Sequence, residues 1–316
     1  MQACGVCVLR TSVRRCHSAD AAMMYLLLLL QQLIASSTHI VAKNITSVLH
    51  PTTVVLFRGT FTVVALGGWY LVKRRTLPKV QRGDIWMLLL LGFINLPVNQ
   101  LCFVWGVRYT TAPNAALAYA LTPVFVVLAL AFWKRTWPGW QRIAGIAVAF
   151  LGAFIVLVDE GAEVRQEHLL GNLMVLAASA SWALYTVLGR RMVLRYGAVY
   201  ATSLTFFTGL PLYVLVWLVL PIPGDFQPLG DASTAAGVWM QLFYLGVITS
   251  AVGYGLWYYA LSRFDAARVA VFNNLQPILT TLLALAILGT QPTLMFVIGG
   301  CVALLGVVVT QMAREQ

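Results

Sequence analysis

Two ionisable side chains, His39 and Arg58, fall inside long apolar stretches of this sequence, and Lys43 closes the first stretch. A charge in hydrocarbon is costly, so each is a candidate for function. Arg58 offers a guanidinium to an anion or a carboxylate, or serves as a gate. Its alternative role is to bond helix-end carbonyls or to snorkel outward. His39 titrates nearest to neutral pH and is the one candidate proton relay, against the simpler role of a hydrogen-bonded packing residue. No Asp or Glu lies in any of the apolar stretches. Proton coupling and aspartyl chemistry therefore lack their usual groups, and facilitated diffusion or exchange fits the inventory better.

A second set of candidates surrounds two prolines. Pro123 and Pro277 are 154 positions apart, and the same gapless shift pairs Tyr119 with Asn273, Ala120 with Asn274, Thr122 with Gln276 and Gln100 with Tyr254. Proline removes an i to i−4 hydrogen bond and leaves carbonyls free. Matched interruptions in two halves point to a central binding site; the alternative is a packing kink. Aromatic and neutral hydrogen-bonding residues gather near them: Asn95, Asn99, Trp257, Tyr258, Ser36, Ser37, Trp182 and Tyr185. The candidate substrate-binding residues are thus His39, Arg58, Asn99, Gln100, Tyr119, Pro123, Trp182, Tyr185, Tyr254, Tyr258, Asn273, Asn274, Gln276 and Pro277. A cavity of this kind suits amino acids, amines or amphipathic metabolites. For each amide or hydroxyl the alternative is interhelical bonding without a ligand.

Other chemistries find little support. The chain has no G-x-x-x-x-G-K-[ST], H-E-x-x-H or G-x-S-x-G motif, so no enzyme is expected. Cys4-x-x-Cys7 with Cys16-His17 has metal-like spacing but lacks a second Cys or His pair. No metal or cofactor is expected.

The elements that must position these residues are membrane helices. The chain is 60% hydrophobic and only 10% charged, with mean hydropathy +0.83. A soluble domain has about a quarter of its residues charged; this chain cannot cover a water-facing surface. Ten spans are predicted, at 22–43, 52–72, 85–107, 111–133, 137–158, 169–189, 198–221, 236–260, 266–288 and 293–312. Each is near the ~20 residues that cross a ~30 Å hydrocarbon core. Residues 1–21, with Arg10, Arg14 and Arg15 against Asp20, read as a cytosolic tail. An organellar transit segment, or a start at Met23 or Met24, is the alternative. Residues 313–316 form the other tail.

Charge then sets the orientation. Of the 21 Lys and Arg, all except Lys43, Arg58, Arg108 and Arg165 fall on the side shared by both termini. Lys and Arg in short loops mark the cytoplasmic face, so both termini are expected inside. The net charge of +11 is read in the same way, as orientation rather than nucleic-acid binding. Halves 22–158 and 169–312 each hold five spans, so the second must enter the membrane inverted. The charges agree: the loop after span 4 has Lys134 and Arg135, whereas its counterpart Gly289-Thr290-Gln291-Pro292 has none. Gly145/Gly152 and Gly299/Gly306 recur at seven residues, on one helix face. They serve close packing within the monomer, or a homodimer interface. Asn44-Ile45-Thr46 is a glycosylation sequon in a loop too short to favour its use.

Several stretches carry a resemblance. They are Ile40 to Arg58 with Pro51; Ser181-Trp182-Ala183-Leu184-Tyr185; Tyr244-Leu245-Gly246-Val247 through Tyr254; Trp257-Tyr258-Tyr259-Ala260-Leu261; Leu275-Gln276-Pro277; and Gly299 with Leu305-Gly306. Their order, with the gapless repeat, resembles the drug/metabolite transporter superfamily, in particular its EamA-like family, over nearly all of residues 25–312. The resemblance implies an all-α integral membrane protein of ten helices in two inverted five-helix repeats. One departure stands out: many members close spans 4 and 9 with an acid after Leu-Gly, where this chain has Thr136 and Thr290. The expected function is transport of small organic solutes by alternating access, with the lipid bilayer and a small-molecule substrate as partners. The expected location is the plasma membrane, with an organellar envelope as the alternative. Competing readings are an exchanger of phosphorylated metabolites or nucleotide sugars, in which Lys43 and Arg58 bind phosphate, and a membrane scaffold without transport.

Overall fold

The computed structural model describes residues 6–135, 139–158, 166–219, 232–289 and 291–312. Thr136, Thr290, Cys4, Asp225, Asp231 and the 313–316 tail lie outside them. Nine helical stretches among the described residues are long and apolar enough to cross a membrane. The stretch expected as the fifth span forms the helix Trp140–Val158, whose described apolar part, Trp140–Val156, falls below that length. No strand occurs among the described residues.

Local chemistry sets where each helix begins and ends. Helix α1 (Val6–Ile45) starts well before the expected span and has Lys43 in its last turn, where a cation suits the helix dipole. Helix α2 (Pro51–Lys73) opens on a proline, whose missing N–H costs nothing there. The third stretch runs as α3 (Ile85–Phe93), a π-helical segment Ile94–Gln100 and α4 (Leu101–Tyr109). The wider coil accommodates Pro97, and the Leu101 N–H reaches back five residues to the Leu96 carbonyl. Thr111 caps α5 (Ala112–Ala120) by accepting from the Asn114 N–H at 3.2 Å. That helix stops at Leu121, and α6 (Thr122–Lys134) restarts with Pro123 in its first turn.

Three longer helices follow, and then the first helix of a second broken stretch. They are α7 (Trp140–Val158), α8 (Gln166–Tyr196), α9 (Ala198–Val219) and α10 (Ala232–Phe243). Gly197, at φ +81°, makes the turn from α8 to α9. Helix α10 passes through a second π-helical segment, Tyr244–Val252, into α11 (Gly253–Arg263). Asp265 caps α12 (Ala266–Ala270), accepting from the Arg268 N–H at 3.0 Å. A 3-10 segment, Val271–Leu275, leads to α13 (Gln276–Leu288) with Pro277 in its first turn. Helix α14 (Leu294–Met312) completes the bundle. The helices are interrupted at both prolines rather than merely kinked, and neither π-helical segment was anticipated.

Small residues decide which helices touch. A Cβ on Gly92 would lie 2.7 Å from the Gly209 nitrogen, holding α3 on α9. One on Gly246 would lie 2.8 Å from the Arg58 carbonyl oxygen, holding the second π-helical segment on α2. Gly106 and Gly171 seat α4 on α8 in the same way. Helix α1 packs on α13 and α11, α6 on α8, and α7 on α14. Apolar side chains such as Leu26, Val64, Phe132 and Leu305 stay exposed on the outside, as a lipid-facing surface requires.

A polar anchor ties the entry of α3 to the end of α8. Asp84, almost fully buried, accepts from the Tyr196 hydroxyl at 2.7 Å and pairs with Arg195; the same hydroxyl accepts from the Gln81 N–H at 3.0 Å. Asp84→Ala removes a charged acceptor from two donors, and we expect a loss of about 2 kcal/mol. Arg195 is 39% exposed, so Arg195→Ala costs less because water replaces it. Thermal unfolding of the two variants in detergent checks the order; an equal shift contradicts it.

Candidate functional site

The breaks and π-helical segments converge on one small cavity. It measures about 60 Å³ and is lined by Gln31, Ala35, Thr38 and His39 of α1, Arg58 of α2, Asn99, Phe103, Tyr119, Trp182, Thr249, Tyr254 and Gln276. Seven of the candidate residues line it: His39, Arg58, Asn99, Tyr119, Trp182, Tyr254 and Gln276. No Asp or Glu does.

Its cationic wall is built from the second π-helical segment. Arg58 is 3% exposed. Its Nε donates to Ser250 Oγ at 2.8 Å and its Nη2 to Thr249 Oγ1 at 3.3 Å. Both hydroxyls donate onward to the Leu245 carbonyl, at 2.9 and 2.7 Å. The π-helical coil makes that convergence natural, because residues four and five positions on can both reach one carbonyl. Each hydroxyl is thereby left as an acceptor toward the guanidinium. The Arg58 Nη1 is buried and has no hydrogen-bond partner among the described residues. The site thus presents an oriented, uncompensated positive charge.

A second part of the lining is an amide network. Gln276 Nε2 donates to Gln32 Oε1 at 3.0 Å and to Asn273 Oδ1 at 3.1 Å. Gln32 Nε2 in turn reaches Gln31 Oε1 at 2.7 Å, and Gln276 Oε1 lies 3.1 Å from His39 Nε2. These bonds cross from α1 to the Pro277 break, so the broken stretch positions polar groups rather than freeing carbonyls alone. His39 also packs edge-on against Phe103 and Tyr119, at 5.2 and 5.6 Å between ring centroids. Its Nδ1 is buried without a partner.

Aromatic rings and one amide complete the lining. Asn99 Nδ2 donates to the Ala178 carbonyl at 2.7 Å and to the Tyr119 hydroxyl at 3.1 Å. Trp182 stands edge-on to Tyr254 at 4.8 Å. Such rings give a ligand apolar contact while hydroxyls and amides fix its orientation.

Seven candidates sit elsewhere. Gln100 lies one layer behind, its Nε2 3.5 Å from the Tyr254 hydroxyl. Tyr185 bonds Thr205 at 2.9 Å, and Tyr258 stacks on Tyr185 at 5.0 Å with its hydroxyl against Gly189. Asn273 supports Gln276, and Asn274 is half-buried outside the lining. Pro123 and Pro277 start α6 and α13; they place the breaks without lining the cavity. Lys43 is also away from it, donating to the Arg108 carbonyl at 3.0 Å. The lining residues that the sequence reading omitted are Gln31, Ala35, Thr38, Phe103 and Thr249. Gln31-Gln32 inside a leucine run and Thr249-Ser250 inside an apolar stretch carried a usable signal, since polar groups in a span need a buried partner.

Comparison with known proteins places the chain. The family model of the EamA-like transporters matches residues 22–158 and 169–312. An uncharacterised transporter of Archaeoglobus fulgidus is 28% identical over 92% of this chain and 98% of its own length. A probable terminal-alkyne amino-acid exporter of Streptantibioticus cattleyicolor is 29% identical over 71% of this chain and 72% of its own. A probable biotin transporter of Pseudomonas aeruginosa is 30% identical, covering 72% and 78% respectively. One crystal structure shares the fold at a TM-score of 0.63 and 20% identity, over 92% of this chain and 97% of that one.

Proposed function

The chain belongs to the EamA-like transporter family and is a multi-pass membrane transporter, and from that premise we propose that it carries small carboxylate-bearing organic solutes, amino acids among them, by alternating access. The observation that carries this reading is the unpartnered Nη1 of Arg58 in a cavity without acidic residues. Burying an unpaired charge costs several kcal/mol. A carboxylate entering the cavity offsets that cost and matches the planar fork of a guanidinium. The amide network and the aromatic rings then hold the rest of the solute.

The competing readings fit less well. A phosphorylated metabolite or nucleotide sugar brings more negative charge than one guanidinium balances, and Lys43 is engaged at the Arg108 carbonyl. An amine would meet a positive wall. A scaffold has no use for a polar cavity with buried unpartnered donors. The named relatives point the same way, since an amino acid and biotin both carry a carboxylate.

Two features support alternating access. A cavity of about 60 Å³ is far below the ~300 Å³ of ordinary ligand sites, so the walls must move to admit a solute. The helix contacts also interchange under the 154-residue shift: α1 with α13 answers α8 with α6, and Gly92 on α9 answers Gly246 on α2. Inverted halves that rock about a shared midplane site are the natural reading. The termini then face the cytosol, with the protein in the plasma membrane. Proteoliposomes supply the test, offered amino acids, other small carboxylates and their primary amides, with and without a pH gradient. We expect saturable uptake of carboxylates alone, independent of the gradient. Equal uptake of acid and amide would overturn the substrate class.

A further inference from the structure

We infer that a second cavity, at the Lys/Arg-rich end of the bundle, binds the phosphate headgroup of an anionic phospholipid. The reasoning starts in the last turns of α8, where Arg190, Arg191 and Arg195 occur together. Arg191 and Arg195 are four residues apart and so share a helix face. The helix C-terminus favours cations there. This face borders a cavity of about 930 Å³ between α3, α6, α8 and the start of α12. It has no lining residue in common with the central cavity.

The charges in it are unequally satisfied. Arg195 is paired with Asp84, and Arg190 Nε points to the Phe264 carbonyl at 3.4 Å. Arg191 is exposed and donates no hydrogen bond among the described residues. The one acid in the lining, Asp265, is occupied in capping α12. The cavity therefore offers an anion the exposed guanidinium of Arg191, whose charge reaches Asp84 only through space, beside those of its two neighbours.

The walls specify an amphiphile. Below the arginines they are apolar, formed by residues such as Met87, Leu130 and Leu188. At the rim, Trp133 is 67% exposed and Leu194 58%. Trp86 and Trp140, also exposed, lie at the ends of neighbouring apolar stretches. Tryptophans in that position mark the level of lipid headgroups. A phospholipid places its phosphate on Arg191 and its acyl chain along the leucines. A small soluble anion would leave the apolar wall wet.

The inference does not depend on the transported solute, and its test needs no transport. The full-length protein is melted in neutral detergent with added phosphatidylglycerol, phosphatidylcholine or inorganic phosphate. Phosphatidylglycerol is expected to raise the melting temperature saturably, and the other two are not. Arg191→Gln should weaken the apparent affinity about fivefold, the effect of one cation beside an anionic headgroup. Leu194→Gln should weaken it through the acyl contact. Arg75→Gln, on the same side but outside the cavity, should leave it unchanged. Three results would overturn the site: no response to phosphatidylglycerol, equal responses of wild type and Arg191→Gln, or equal losses in Arg191→Gln and Arg75→Gln. An equivalent shift with inorganic phosphate would assign the cavity to a soluble anion and overturn the lipid.

Discussion

Replacing Arg58 by Gln is expected to weaken carboxylate binding and uptake by about 30-fold or more, the range for truncating one partner of a buried charge pair. The same variant should be at least as heat-stable as the wild type. That combination follows from the setting of the side chain. Arg58 is held by two neutral hydroxyls, with Nη1 buried and unpartnered, so the empty protein carries the cost of a desolvated charge. A neutral amide, which reaches only as far as the Arg58 Nε, relieves it. A purely structural arginine predicts the opposite pattern, with lower stability and little change in affinity for transportable solutes. Arg58→Lys restores the charge but not the fork, and should recover only part of the affinity. Ser250→Ala leaves the charge and removes the group that aims it, with a loss of about tenfold, the lower end for one hydrogen bond to a charged group. Equilibrium binding in detergent, with thermal unfolding on the same samples, reads both quantities. Unchanged binding in Arg58→Gln would remove the carboxylate site while leaving the fold and family intact.

The site was legible in sequence where a residue type was improbable in lipid, and hidden where geometry decided. Arg58 and His39 were conspicuous because charge is rare inside apolar stretches. The prolines were conspicuous through their repeat, and the expected interruption takes a particular form. They begin new helices, and the turns before them bring Tyr119 and Gln276 to the cavity. Tyr185 and Tyr258 look equivalent to Tyr254 in sequence, but they stack together one layer away, and no pattern of types separates the three. Thr249 carried a signal as one of two adjacent hydroxyls in an apolar stretch, but its direction was not legible. A hydroxyl in a helix usually bonds its own backbone, and only the π-helical coil turns this one toward a guanidinium. At the fifth expected span the described helix is α7, Trp140–Val158, of 19 residues, the length of α14.

That helix leads to the largest expected effect on folding. Helix α7 is held by α14 through glycines. A Cβ on Gly152 would strike the backbone of Ala303, one on Gly306 the backbone of Ala149, and one on Gly299 would lie 2.7 Å from the Gly152 carbonyl oxygen. Backbone atoms on both sides cannot swing aside as a side-chain tip can, so each added methyl must push the helices apart. We expect Gly152→Ala or Gly306→Ala to cost about 3 kcal/mol, the upper part of the range for overpacking. The double variant should cost much less than the sum, because both methyls separate the same pair. Gly300 supplies the control. It adjoins Gly299, but a Cβ there would meet only Leu117 Cδ1, at 3.9 Å. Gly300→Ala should therefore be neutral or gain up to ~1 kcal/mol from helix propensity. Thermal unfolding in detergent measures all four. A shared loss at Gly152 and Gly300 would show that chain flexibility matters there; a loss at Gly152 alone would show that the α7–α14 contact is set by backbone approach, with the monomer's own packing consuming the glycine faces that a dimer would otherwise use.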